Sequence, residues 1–192
     1  MGVDKIMIPV GGEPCITRIE RVLRTIASPC LEVGPGRTSF RSLIELAPGN
    51  GPLAAIAAGC TALRALGHDG PALVVAGDLP LVTENVLRWL ATRPGNGSVV
   101  PVVDGRRQPL LARWSPWDLH SAIGAVASGH RSLRGLPDGA GTTIATELMW
   151  STVATAEVFA DIDTPEDLRR LGLISEQAAT MRHLGSHAGS SR

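Results

Sequence analysis

The chain has 192 residues, the length of one ordinary domain with room for a sizeable core. Its 18 basic and 18 acidic residues cancel, which removes the basic excess of a nucleic-acid binder, and the scarcity of aromatics removes a base-stacking platform. With 44% apolar and 19% charged residues the composition is globular, and no apolar run approaches the ~20 residues of a membrane span.

Lys5 to Val10 reads as an extended apolar segment ended by Gly11-Gly12. Ile16, Ile19, Val22, Leu23 and Ile26 then recur at helical spacing, with Pro14 near the start and Pro29 as a stop. Cys30 to Val33 and Leu43 to Leu46 are short strand candidates. Gly49-Asn50-Gly51-Pro52 opens a helix that runs to about Leu66 and closes at Gly67, the expected placing of proline and glycine. Ala72 to Ala76 is a continuous apolar run, the pattern of a buried strand, and Thr83 to Thr92 reads as a helix.

Ser98 to Val103 and Pro109 to Trp114 read as strands joined through the turn dipeptide Asp104-Gly105. Helices are expected over Trp117–Ala127 and Ser132–Leu136, and strands over Thr143–Glu147 and Val158–Ile162. Thr164-Pro165-Glu166-Asp167 is a helix start, with a capping hydroxyl, proline at the first position and acids in the first turn. That helix should end at Gly172. Strands alternating with helices predict an α/β domain over 1–175, a mainly parallel mixed sheet with helices on both faces. Residues 176–192 are small and polar and read as a flexible tail.

The cysteines (Cys15, Cys30, Cys60) are odd in number and widely spaced, so they form neither a disulfide framework nor a zinc pattern. The first residues lack the charged-then-apolar layout of a signal peptide. The expectation is a cytoplasmic protein with reduced thiols. The histidines show no metal spacing, the tryptophans read as core or rim residues, and no Walker-type loop or nucleophile elbow occurs.

Four places could carry chemistry. Asp78 directly follows the apolar strand, at the carboxyl edge where open α/β sheets bind ligands. A carboxylate there could hold Mg²⁺ beside phosphate oxygens, with Gly77 admitting the ligand, or it could simply open the turn into the next helix. Asp161 and Asp163 lie two apart on a strand end and so share a face. They either converge on a cation, or Asp163 caps the following helix and Asp161 is solvated. Lys5, the sole lysine of the chain, suits a phosphate or is a solvated residue near a terminus. Gly49-Asn50-Gly51 at a helix N-terminus either contacts a nucleotide or is a plain loop.

Taken in order, several segments resemble one family. Met1-Gly2-Val3-Asp4-Lys5 with Ile8-Pro9-Val10-Gly11-Gly12-Glu13-Pro14 resembles the second half of the signature of the molybdenum cofactor guanylyltransferase (MobA-like) nucleotidyltransferases. Gly51-Pro52-Leu53-Ala54-Ala55, Ala76-Gly77-Asp78-Leu79-Pro80, Arg107-Gln108-Pro109-Leu110-Leu111-Ala112 and Asp161-Ile162-Asp163-Thr164-Pro165-Glu166-Asp167-Leu168 resemble four further segments of that family, in its order. The likeness covers Gly2 to about Leu173.

The resemblance implies a Rossmann-like nucleotidyltransferase fold that moves GMP from GTP onto the terminal phosphate of molybdopterin and releases pyrophosphate. Lys5 and Asp78 would be catalytic. Asp78 and Asp163 would hold Mg²⁺, and Gly2, Lys5, Gly51, Pro52, Leu53 and Asp78 would bind the nucleotide. Gln108, Pro109 and Asp161 would face the pterin substrate. Molybdoenzymes or cofactor-delivery proteins are further partners it implies. The family signature begins with a strand and a Leu-Ala-Gly-Gly-x-x-x-Arg loop. This chain starts at Met1, inside that signature, so the first strand and phosphate loop are expected to be missing. Asp161-x-Asp163 stands where many relatives have Asn-x-Asn, and Leu46, beside Glu45, stands near an expected acidic residue. These departures keep two alternatives open: another base or acceptor, CTP for example, or a truncated paralogue acting as a binding module. Asp4 favours the guanine reading, since cytidylyl relatives usually carry proline there.

Overall fold

The computed structural model describes residues 5–44 and 51–173. Gly2, Asp4, Glu45, Leu46, Gly49, Asn50 and the tail expected over 176–192 lie outside them.

Lys5 to Val10 does not form one strand. Lys5–Met7 makes a single 3₁₀ turn, and only β1 (Pro9–Val10) is extended, pairing antiparallel with β2 (Glu13–Pro14). The turn glycines explain the shortening: Gly11 and Gly12 both take positive φ (61° and 92°), which folds the chain straight back on itself. Helix α1 (Cys15–Arg24) follows at once and buries Cys15, Ile16, Ile19 and Val22, the face its spacing predicts. β3 (Leu31–Val33) pairs parallel with β4 (Arg41–Leu43), which is shifted toward the N-terminus from the expected strand. Between them the loop is tied by Glu32, a buried carboxylate that accepts the amides of Gly36, Arg37 and Thr38 and the Thr38 hydroxyl at 2.7–2.8 Å.

Helix α2 (Pro52–Ala65) leads into β5 (Ala72–Val75), and Thr83 caps α3 (Glu84–Thr92) through the Val86 amide. β6 (Val99–Val103) turns at Asp104-Gly105, both with positive φ (48° and 74°), into β7 (Arg106–Arg107). The turn is therefore where expected, but its direct partner is this short return strand. β8 (Leu111–Trp114), α4 (Pro116–Ala127), β9 (Thr143–Ala145) and α5 (Glu147–Trp150) complete the central part. β9 stops short of Glu147 because Thr146 and Glu147 start a helix.

The main sheet has the order β5-β8-β6-β9, with β7 hairpinned onto the end of β6. β8 is antiparallel to both β5 and β6, while β9 is parallel to β6. Thus β5, β6 and β9 run one way and β7 and β8 oppose them: among the described residues the sheet is mixed as expected but not mainly parallel, since β8 entering between β5 and β6 leaves β6–β9 as its parallel pairing. Two cores pack on it. Leu87, Leu90, Leu111, Trp150 and Phe159 fill one; Leu53, Ile56, Ala112, Trp114 and Leu119 fill the other, beneath α2 and α4.

Two further expectations fail. Residues 132–136 are not helical, since Gly135 takes φ +84° and Pro137 disfavours helical geometry at Leu136. Val158–Ile162 is not a strand. Val158 and Phe159 are neighbours and both are buried, which a pleated strand with one inward face cannot do, and they sit on a 3₁₀ turn over Ala156–Phe159. Helix α6 (Pro165–Arg170) has the anticipated cap: Thr164 accepts the Asp167 amide and the Asp167 carboxylate takes the Thr164 amide back. Gly172, at φ +66°, lies just beyond its end. No helix among the described residues is long and apolar enough to cross a membrane.

Candidate functional site

β5 is apolar and half-buried throughout, so its end sets where the next polar residue emerges. That residue is Asp78, half-buried at the carboxyl edge of the sheet. The 160–164 segment runs beside it. The Ile162 amide donates to the Asp78 carbonyl at 3.1 Å, and the Ile162 side chain is fully buried against Val10, Cys15 and Leu168. With Ile162 turned inward, Asp161 and Asp163 turn outward on either side of it. Their carboxylates and that of Asp78 bring oxygens within 4.8 Å of one another. The shared face expected of Asp161 and Asp163 therefore arises without a strand, from one backbone hydrogen bond and one buried isoleucine.

Lys5 closes the group. Its Nζ lies 2.5 Å from Asp163 Oδ1, and the pair is partly exposed. The hydrogen bond to Asp163 raises the Lys5 pKa against an opposing effect of desolvation, with the charges of Asp163, Asp78 and Asp161 adding to the rise. Asp78 is pushed up as well, first by burial and then by Asp161 and Asp163, with Lys5 pulling the other way. The buried thiol of Cys15 feels the same centre: burial first, then the Asp78 charge, pushes it up to about 12. Three carboxyl groups facing one ammonium form a centre that attracts cations. Asp163 does not cap α6. Thr164 does so, and the Asp163 amide donates to Asp167, which leaves the Asp163 carboxylate for Lys5.

Gly77 has a different reason for being glycine than ligand access. A Cβ there would lie 3.1 Å from Ile16 Cδ1 and 3.2 Å from Ile6 Cγ2, so the missing side chain lets α1 and the 3₁₀ turn carrying Lys5 press on the strand end. Gly51 takes φ +83° at the N-cap of α2, and a Cβ would meet the Arg131 carbonyl at 3.2 Å. Pro52 is exposed, whereas Leu53 is fully buried against Ala112 and Trp114. The Leu53 side chain is thus a core residue, and Leu53 offers a ligand only its backbone. Gln108 and Pro109 lie on the approach to β8. The Leu110 carbonyl accepts the Ala76 amide at 2.8 Å, which puts all three at the same sheet edge as Asp78. The Gln108 side chain donates to the Arg106 carbonyl.

The sequence reading passed over Arg18. Its charge acts on Cys15, as does that of Asp78, and its Nε is buried with no hydrogen-bond partner among the described residues. On α1 it stands one helical turn after Cys15, and only that spacing could have flagged it.

The family described as MobA-like NTP transferase domain matches residues 1–141. A solved structure of molybdopterin-guanine dinucleotide biosynthesis protein A from Archaeoglobus fulgidus is similar over 94% of this chain and 92% of that one, at 24% identity and a TM-score of 0.66. A protein from Aquifex aeolicus is similar over 78% of this chain and 79% of that one, at 12% identity and a TM-score of 0.60. None of the curated proteins compared matches the chain.

Proposed function

The chain belongs to the MobA-like NTP transferase domain family, and from that premise we propose that it transfers GMP from GTP to the terminal phosphate of molybdopterin. The observation that supports this most is the meeting of Asp78, Asp161, Asp163 and Lys5 at the carboxyl edge of the sheet. In the reaction an oxygen of the pterin phosphate attacks the α-phosphorus of GTP. The bond from that phosphorus to the bridging oxygen breaks, and pyrophosphate leaves with the electron pair. No protein nucleophile is needed, which agrees with the lack of one in the sequence. Catalysis is positioning plus charge stabilisation.

The donor set suits Mg²⁺: hard carboxylate oxygens, converging and partly open to solvent, leave room for phosphate and water. Asp78 and Asp163 would hold the ion, which when bound would neutralise phosphate charge. Asp161 would stand on the side of the acceptor. Lys5, already held by Asp163, would place its ammonium against the charge that grows on the leaving pyrophosphate. The backbone of Gly51, Pro52 and Leu53 would flank the base, and Gln108 and Pro109 would flank the pterin at the shared edge.

The direct test incubates the protein with GTP, Mg²⁺ and molybdopterin and measures pyrophosphate and dinucleotide product. Asp78→Asn keeps the shape of the side chain and removes its charge. It should lower turnover by about 10²–10³-fold, the scale of lost electrostatic stabilisation, with the thermal midpoint little changed. Wild-type turnover in that variant refutes the assignment. Product formed from CTP in preference to GTP keeps the reaction class and changes the base.

A further inference from the structure

A second concave centre lies at the other edge of the sheet. Ala72 stands opposite Trp114 in the β5–β8 register, so α4 begins beside the amino end of β5, about 20 Å from Asp78 at the rise of a strand. There the last turns of α2 meet the first turn of α4 around a cavity of about 460 Å³. Cys60 and Leu63 of α2 and Leu119 of α4 give it an apolar lining. Arg64, His120 and Trp117 give it a polar and aromatic one. Arg64 Nη1 spends a donor on His120 Nδ1, at 3.3 Å. A guanidinium has no acceptor, so that ring nitrogen is bare and serves only as a neutral acceptor. The partner that matches a guanidinium is a carboxylate, and among the described residues the one paired with Arg64 is Asp69, largely exposed and on the Nε side at 3.3 Å. Trp117 stands three residues before His120, on the same face of α4, and is 62% exposed. Its ring is held all the same: a Cβ on Gly139 would lie 2.6 Å from Trp117 Cε3, so one side of the indole rests on the Gly139 backbone.

We propose that this cavity binds a small aromatic carboxylate. The ring stacks on Trp117 over the apolar lining, and the carboxylate replaces His120 Nδ1 as the acceptor for Arg64. Arg64 and His120 are both exposed and can part to admit it. The volume suits one ring or two fused rings. The spacing selects a compact acid over a nucleotide: Trp117 and His120 are one helical turn apart, about 5–6 Å between Cβ atoms, which leaves no place for a sugar between ring and anion. The charge selects a single negative group. Arg64 is the one permanent cation of the lining, Asp69 opposes it from the Nε side, and His68 is already engaged with the Pro71 carbonyl at 3.1 Å. The site is independent of the transfer reaction, whose carboxylates stand beyond the far end of β5.

The test titrates the whole protein with naphthoate and follows the indole N–H of Trp117 and the ring of His120 by NMR. Both should shift along one saturable curve, with a Kd of about 1 mM or tighter. Naphthamide has the same shape without the charge and should bind about tenfold more weakly or worse. Naphthoate should lose about as much affinity for Arg64→Gln and for Trp117→Ala, which remove the anion's partner and the ring's platform. Comparing acid with amide on the unaltered protein decides the matter even if a variant fails to fold. No saturable shift, equal binding of acid and amide, or unreduced affinity in Arg64→Gln overturns the proposal. So do saturable shifts that leave Trp117 and His120 unmoved.

Discussion

Gly77 shows how much one absent methyl group can position. Ile6 and Ile16 fill the space where its Cβ would stand, and Ile6 adjoins Lys5. Gly77→Ala should force Ile6 outward by a few tenths of an ångström, loosen the Lys5–Asp163 pair, and cost about 1 kcal/mol as overpacking. Calorimetry with a parallel turnover assay checks this: activity should fall further than stability does. Lys5→Ala should lower kcat more than it weakens GTP binding, because its charge is needed most as pyrophosphate departs. An unchanged kcat returns Lys5 to a solvated surface residue. Glu32 offers a test away from the site. Burial pushes its pKa up, but the amides of Arg37, Thr38 and Gly36 and the Thr38 hydroxyl outweigh that and lower it. Glu32→Gln turns a donor toward those donors, and should lower unfolding free energy by about 1–3 kcal/mol in urea titrations.

At the scale of elements, α6 carries a pH prediction. The Asp167 carboxylate is half-buried at the start of the helix, and hydrogen bonds from the Thr164 side chain and then its amide lower its pKa from 3.8 to about 2. A depressed carboxyl pKa stabilises the fold above the unfolded value and loses that contribution as pH falls through the folded one. The cap should thus hold in full above about pH 4 and fade toward pH 2. Carboxyl-carbon NMR of Asp167 should show a midpoint near 2, moving toward the ordinary value in Thr164→Val. The cap was legible in the sequence because its chemistry is local: hydroxyl, proline and acid in four consecutive residues. So were α1, α3, α4 and the turn at Asp104-Gly105. The residues 132–136 and 158–162 misled because apolar content alone says nothing of a following proline, or of two adjacent side chains both pointing inward.

For the whole molecule, the fold class was readable from the alternation of elements, but strand order was not. Nothing local marks β8 as the strand that enters between β5 and β6 in the reverse direction. The site divides the same way. Asp78 announced itself by following an apolar run, and Asp161 and Asp163 by their spacing. Their meeting with Lys5, 158 residues from Asp163, depends on tertiary packing that no local pattern encodes.

The reversed position of β8 bears on how the chain matures. β5 and β6 are spaced apart in the finished sheet by a segment that the ribosome makes after both. β5 cannot zip to its neighbour there until Trp114 has cleared the exit tunnel, and until then β6 holds only its short hairpin with β7 on that side. The nascent chain should therefore stay sensitive to protease through residues 72–103, and then become resistant in a single step.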